Sequence, residues 1–247
     1  MTISKQLENL LHVRGALAVA LIDPDSKNDG ILLSIINSIN DSDFDIIFVG
    51  GSHISDNEFD SRVRFIKYNT KLPVIIFPGS SNQLSKYADA ILYLSLISGR
   101  NPQYLIDEHV KSAPLIYNLS IETIPTAYIL LDGGAQSSVE IVSDTKPIPM
   151  DKHEIILAHA LAGEYLGKSL IFLECGSGAE DHAACDILSY IKPHLTIPII
   201  VGGGVKTAQS ADTLVKAGAD YIVTGTQLED LPSSTDLIQF TQAVHQS

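Results

Sequence analysis

IPIIVGGGVKTAQSADTLVKAGADYIVTGT, residues 197–226, holds a strand, a glycine turn, a helix, a second strand and a second glycine turn. Pro198, Ile199, Ile200 and Val201 are apolar without the alternation of a half-solvated strand, as strands buried on both faces of a parallel sheet are. The run ends in Gly202, Gly203 and Gly204; Thr207 then stands where an N-cap opens a helical pattern over 207–217, and Gly218 stands where a C-cap glycine closes it. Residues 221–224 repeat the apolar run, and Gly225 and Thr226 repeat the turn.

Outward from this unit the same pattern recurs. Apolar runs at 16–22, 45–49, 73–77, 90–94, 127–131 and 170–173 bring the strands to eight, and helical patterns fall at 30–40, 56–68, 102–111, 151–166, 181–191 and 234–244, with Asp181 and Ser234 as further N-caps and Gly167 following a helix. Eight such units predict one α/β domain over 1–247, a closed (β/α)8 TIM barrel. The connection 78–89 is too short for a crossover helix and two loops, so an irregular unit is expected there. Long loops are expected at 113–126 and 133–149.

With 45% hydrophobic and 18% charged residues the chain can bury a sizeable core. Its formal charge of -13 excludes a broad nucleic-acid footprint or a polybasic membrane anchor, so an anionic ligand must be held locally. Cys175 and Cys185 form no CxxC pair, no apolar stretch is long enough to span a bilayer, and the N-terminal residues lack a signal-peptide pattern. A cytoplasmic protein is the expectation.

In a barrel the strand C-terminal ends share one face, so polar residues just after the apolar runs become neighbours. The glycine turns at 202–204 and 225–226, beside Gly176, Ser177 and Gly178, fit a phosphate cradle of bare N–H groups, although glycines also simply make tight turns. Asp23 and Ser52 end adjacent strands and offer oxygens suited to Mg2+; the same Asp could cap a turn and the same Ser be solvated. Glu174 ends an apolar strand, where a carboxylate is costly, and reads either as a general base or as the partner of a Lys or Arg. Arg100 and Lys146 are further phosphate candidates. The eight histidines show no zinc spacing, and Cys175 carries no nucleophile signature.

Taken together, LIDPD at 21–25, FVGGS at 48–52, LSLISGRNP at 94–102, IPTAYILLDGG at 124–134, TKPIP at 145–149, FLECGSGA at 172–179, VGGGVKT at 201–207 and VTGT at 223–226 resemble the geranylgeranylglyceryl phosphate synthase family, in the branch shared by archaeal and some bacterial members. The resemblance spans nearly the whole chain. It implies a modified TIM barrel whose third helix is replaced by irregular chain, and a prenyltransferase joining a prenyl diphosphate, geranylgeranyl diphosphate foremost, to sn-glycerol-1-phosphate. It implies Mg2+ at Asp23 and Ser52, glycerol phosphate at Phe172, Leu173, Glu174, Cys175, Gly176, Ser177, Gly178, Gly203, Gly204, Gly225 and Thr226, and Glu174 as the base. A homo-oligomer, dimer or hexamer, also follows from it, while contact with a membrane surface stays open. Phe172 and Thr226 stand where the family often has Tyr and Asn. The prenyl groove is expected among the loops after the third to fifth strands. A phosphosugar isomerase, aldolase or cyclase on the same barrel, or a non-catalytic phosphate- or polyprenyl-binding barrel, are the competing readings.

Overall fold

The computed structural model of the protein describes residues 1–51, 54, 56–177, 179, 182–229 and 234–245. In chain order the elements are α1 (Ile3–Arg14), β1 (Leu17–Ile22), α2 (Leu32–Asn40), β2 (Ile46–Val49), α3 (Phe59–Tyr68), β3 (Val74–Ile76), β4 (Ala90–Leu96), α4 (Glu108–Leu119), β5 (Glu122–Leu130), α5 (Ser138–Ser143), α6 (His153–Tyr165), β6 (Leu170–Glu174), α7 (Cys185–Ile191), β7 (Ile199–Gly202), α8 (Ala208–Ala217), β8 (Tyr221–Thr224), α9 (Thr226–Glu229) and α10 (Ser234–His245). All eight strands are parallel and pair in sequence order, and β8 closes on β1 with Leu17 opposite Tyr221 and Ala20 opposite Thr224.

The unbroken apolar runs are explained by burial on both faces. Leu17, Val19, Ile46, Phe48, Phe172 and Val223 fill the barrel interior. Their chain neighbours Ala18, Ala20, Ile47, Val49, Leu173 and Ile222 pack outward against the helices. Capping residues hold α8 where the pattern places it: Thr207 and Ser210 form a reciprocal capping box, and Gly218 ends the helix at φ +116°.

The connection between β3 and β4 contains no helix, as its length requires. Side chains hold it instead: Gln83 accepts from Gly79 N at 3.0 Å and donates to Gly51 O at 2.8 Å, and Glu108 accepts from Ser81 N at 2.7 Å.

Several expectations need correction. The segment 113–126 is not a loop. A π-helical turn at Gln103–Asp107 leads into α4, which continues through Pro114 to Leu119, and β5 begins at Glu122. Pro114 forfeits one helix donor, but it lies on the exposed face while Ser112 and Ile116 are buried. The segment 133–149 contains α5, capped by Ser137, so it is only partly loop. Helix α7 starts at Cys185 behind Ala184, four residues later than expected; Asp181 lies outside the described residues, as does the side chain of Ser234.

Helix α1 was not expected. Glu122 accepts from Ile3 N at 2.6 Å and Ser4 N at 2.8 Å, anchoring the helix start, and Leu7 joins the interior cluster at the N-terminal end of the barrel.

Candidate active site

The C-terminal ends of the strands surround one cavity of about 370 Å3. Asp23, Glu174, Ser177, Gly203, Gly204 and Lys206 line its polar end. Its apolar arm runs past Phe77, Leu84, Ile91, Leu94 and Val142 to His109 and Ser112 of α4, beneath the helix-free connection. The arm therefore draws on the chain after β3, β4 and β5, where the prenyl groove was expected.

Strand alternation turns Glu174 inward, and it is buried there. Its Oε1 accepts from Gly176 N at 2.7 Å. Burial pushes its pKa up to about 7, against the opposing pull of the Gly176 N–H and the Tyr128 hydroxyl. Among the described residues no Lys or Arg bears on it, so the ion-pair reading of Glu174 has no partner. A carboxylate poised near neutrality in a cavity can accept a proton from a bound hydroxyl.

The turn after β7 wraps this carboxylate. Gly203 has φ +80°, and a Cβ there would lie 2.6 Å from Glu174 Oε1 and 2.7 Å from Gly176 N. Both backbone geometry and space thus demand glycine. Gly225 differs, because a Cβ would meet only Leu21 at 3.4 Å, ordinary contact. Gly176 contributes its N–H to Glu174, not to the open cavity.

Across the mouth, Asp23 follows β1. Among the described residues its buried Oδ1 has no hydrogen-bond partner, and its Oδ2 lies 3.8 Å from Lys27 Nζ. Burial raises its pKa, and Lys27 opposes the rise. It caps nothing: the short turn that follows is capped by Asp25, which accepts from Lys27 N at 3.0 Å. A carboxylate that lines the cavity and keeps one buried oxygen without a partner among the described residues fits a hard cation such as Mg2+, which needs few protein oxygens beside water and phosphate. Among the described residues no group of three or more His, Cys, Asp or Glu could cage a metal by itself.

The remaining candidates divide. Phe172 is fully buried beneath the cavity, its ring stacked on Phe77 with centroids 5.0 Å apart and an interplanar angle of 1°. Leu173 and Cys175 face the outer core. Arg100 is exposed and donates from Nη1 to the carbonyl of Gly99 at 2.7 Å, while Lys146 is also exposed; neither lines the cavity. Ser52 and Gly178 lie outside the described residues, as does the side chain of Thr226, whose backbone opens α9. Tyr128, Lys27, Lys206 and Glu229 line the cavity without having been singled out. Tyr128 sits mid-strand opposite Phe172, so only the register of β5 on β6 brings its ring, 5.4 Å from that of Phe172, to the site.

The fold and site define a (β/α)8 barrel enzyme in which a glycine-built cradle and two raised carboxylates stand at one end of an apolar cavity. Residues 10–244 match the PcrB family, and the chain belongs to it. The geranylgeranylglyceryl phosphate synthase of Chitinophaga pinensis is 44% identical over 226 residues, covering 91% of this chain and 88% of that protein. The enzyme of the same name from Methanosphaera stadtmanae is 40% identical over 230 residues, covering 93% and 94%. The crystal structure of (S)-3-O-geranylgeranylglyceryl phosphate synthase from Thermoplasma acidophilum in complex with substrate sn-glycerol-1-phosphate superposes with a TM-score of 0.94 at 35% identity, over 100% of both chains.

Proposed function

We propose that the chain is a Mg2+-dependent prenyltransferase that joins a prenyl diphosphate, geranylgeranyl diphosphate foremost, to sn-glycerol-1-phosphate. The observation that carries this reading is Glu174: a buried carboxylate near neutrality, wrapped by the Gly203 turn, at the polar end of a cavity with a long apolar arm. The names of the relatives at 40% and 44% identity, and the substrate in the Thermoplasma acidophilum complex, support it.

In this reading the phosphate of glycerol phosphate lies against the backbone at Gly203 and Gly204, with its reacting hydroxyl toward Glu174. The hydroxyl oxygen attacks the first carbon of the prenyl chain, the bond from that carbon to diphosphate oxygen breaks, and the diphosphate leaves with the electron pair. The hydroxyl proton passes to Glu174, and a prenylglyceryl phosphate ether remains. Phe77, Leu84 and Ile91 shelter the prenyl tail. Asp23 would hold Mg2+, whose chemistry there is neutralisation of charge on the departing diphosphate. Tyr128 places a phenol beside Glu174 where Phe172 offers none.

Homo-oligomerisation and a cytoplasmic location belong to the same proposal. Exposed Val110, Leu115 and Tyr117 on α4 support the first, and Cys175 and Cys185, which form no disulfide with each other, the second. No helix among the described residues is long and apolar enough to cross a membrane.

The test is incubation of the purified protein with radiolabelled sn-glycerol-1-phosphate, Mg2+ and a ladder of prenyl diphosphates, followed by extraction into organic solvent. Label should move to the organic phase only with both substrates and Mg2+ present. Label retained in water with every diphosphate would remove the prenyltransferase reading.

A further inference from the structure

Arg62 of α3 lines no part of the cavity, yet its guanidinium is nearly buried, with a side-chain exposure of 7%. Every one of its N–H groups is used. Nε and Nη2 donate to the two oxygens of Asp29 at 2.6 and 2.9 Å, Nη1 and Nη2 donate to the two oxygens of Asp56 at 2.8 Å each, and Nη1 donates to the Pro24 carbonyl at 3.0 Å. Two bidentate forks and a carbonyl contact on one side chain form a geometry that a lysine cannot reproduce.

The partners belong to two different mouth loops. Pro24 and Asp29 bracket the loop after β1, and Pro24 is bonded directly to Asp23. Asp56 closes the loop after β2, whose Gly51 backbone packs so closely on Asp23 that an added Cβ would lie 2.8 Å from Oδ1. Within the first loop, Asn28 donates to the Asp23 carbonyl at 2.9 Å and to Glu229 at 3.1 Å. One guanidinium therefore joins Pro24 and Asp29, just past Asp23, to Asp56 ahead of α3. Packing of α3 on the barrel needs none of this, since Phe59, Val63 and Ile66 already supply its buried face.

We propose that Arg62 is a positioning residue for the diphosphate end of the reaction, tying the loops after β1 and β2 so that Asp23 meets the cation and diphosphate in a fixed geometry. The proposal rests on the reading of Asp23 as the Mg2+ holder. It predicts a selective defect: none of the hydrogen bonds that Arg62 itself makes reaches the β6–β8 end, where glycerol phosphate is read to bind.

The experiment measures Mn2+ affinity by electron paramagnetic resonance, with and without inorganic diphosphate, in the wild type, Arg62→Lys, Asp56→Asn and Asp23→Asn, alongside KM for each substrate and the melting temperature. Supporting partners of a metal ligand commonly change affinity or activity by about 10- to 100-fold, and Arg62→Lys is expected to weaken Mn2+ binding and raise KM for prenyl diphosphate on that scale. KM for sn-glycerol-1-phosphate should not move. Asp56→Asn removes one arm at a more exposed position and should shift the same two quantities in the same direction by less. Equal rises in both KM values, or wild-type Mn2+ affinity in a folded Arg62→Lys protein, would overturn the proposal. Wild-type Mn2+ affinity in Asp23→Asn would instead overturn the metal reading beneath it. Loss in Asp23→Asn with none in Arg62→Lys would overturn the positioning role alone.

Discussion

On the β6–β8 side of the mouth Glu174 is buried, hydrogen-bonded by a backbone N–H and wrapped by a turn that admits no side chain, whereas on the β1–β2 side Asp23 keeps one oxygen buried and, among the described residues, without a hydrogen-bond partner, its other oxygen lying 3.8 Å from a Lys27 ammonium that also reaches Glu229 at 3.2 Å. Burial raises both carboxylates, and among the described residues a cation stands beside Asp23 and none beside Glu174. A carboxylate with donors and no cation is suited to exchanging a proton, and one at the cavity wall whose buried oxygen finds no donor among the described residues is suited to taking a cation. In the proposed reaction the two ends thus divide proton transfer from charge neutralisation.

The largest effect that could break this comparison is at Asp23. Removing the charge that neutralises a leaving diphosphate costs several kcal/mol in the transition state, so Asp23→Ala should lower kcat by about 10³-fold or more with unchanged circular dichroism. Near-normal turnover at saturating Mg2+ would remove Asp23 from the reaction and leave Glu174 as the one carboxylate still to be tested.

Next is a stability effect confined to Glu174. Its folded pKa of about 7 lies above the ordinary 4.5, so the unfolded chain loses the proton first and wild-type stability falls as pH rises through that window. Glu174→Gln carries no such penalty and should melt higher than the wild type at pH 8, by an amount on the order of 3 kcal/mol at the usual energy per pKa unit. The advantage should vanish below about pH 4.5, where Glu174 is protonated in both states. A pH-independent gap, read by thermal melts across the range, would point to packing instead.

A smaller effect sharpens the cradle. Gly203→Ala places a Cβ at φ +80° against Glu174 and Gly176, and left-handed strain alone costs about 1–2 kcal/mol. Affinity for sn-glycerol-1-phosphate should fall about tenfold on that scale, with prenyl diphosphate little affected. Smallest of all, Arg100→Ala and Lys146→Ala remove exposed side chains outside the cavity, and both KM values should stay within about twofold, as for ordinary surface substitutions.

The two ends also differed in how far they could be read from the chain. Glu174 and Gly203 follow unbroken apolar runs, and strand period with barrel closure places them without further information. The apolar arm announced itself only as a shortage of residues between β3 and β4. Tyr128 stayed hidden because a mid-strand aromatic looks like core until the register of β5 on β6 is known. Arg100 shows the opposite case: a cation after a strand has the signature of a phosphate ligand, yet it lies outside the cavity lining with Nη1 turned to the Gly99 carbonyl. Pro114 masked the second half of α4, since a proline on the exposed face of a helix has the same local signature as a helix stop.

The most direct test of the division between the two carboxylates is the pH dependence of the single-turnover rate with both substrates saturating, in the wild type and in Glu174→Gln. The wild-type rate should rise with pH as Glu174 loses its proton and level off above about 7. The variant should bind sn-glycerol-1-phosphate, react more slowly by about 10²- to 10⁴-fold, and lack that rise. An unchanged rate in Glu174→Gln, or the same rise persisting without the carboxylate, would contradict its role as the proton acceptor.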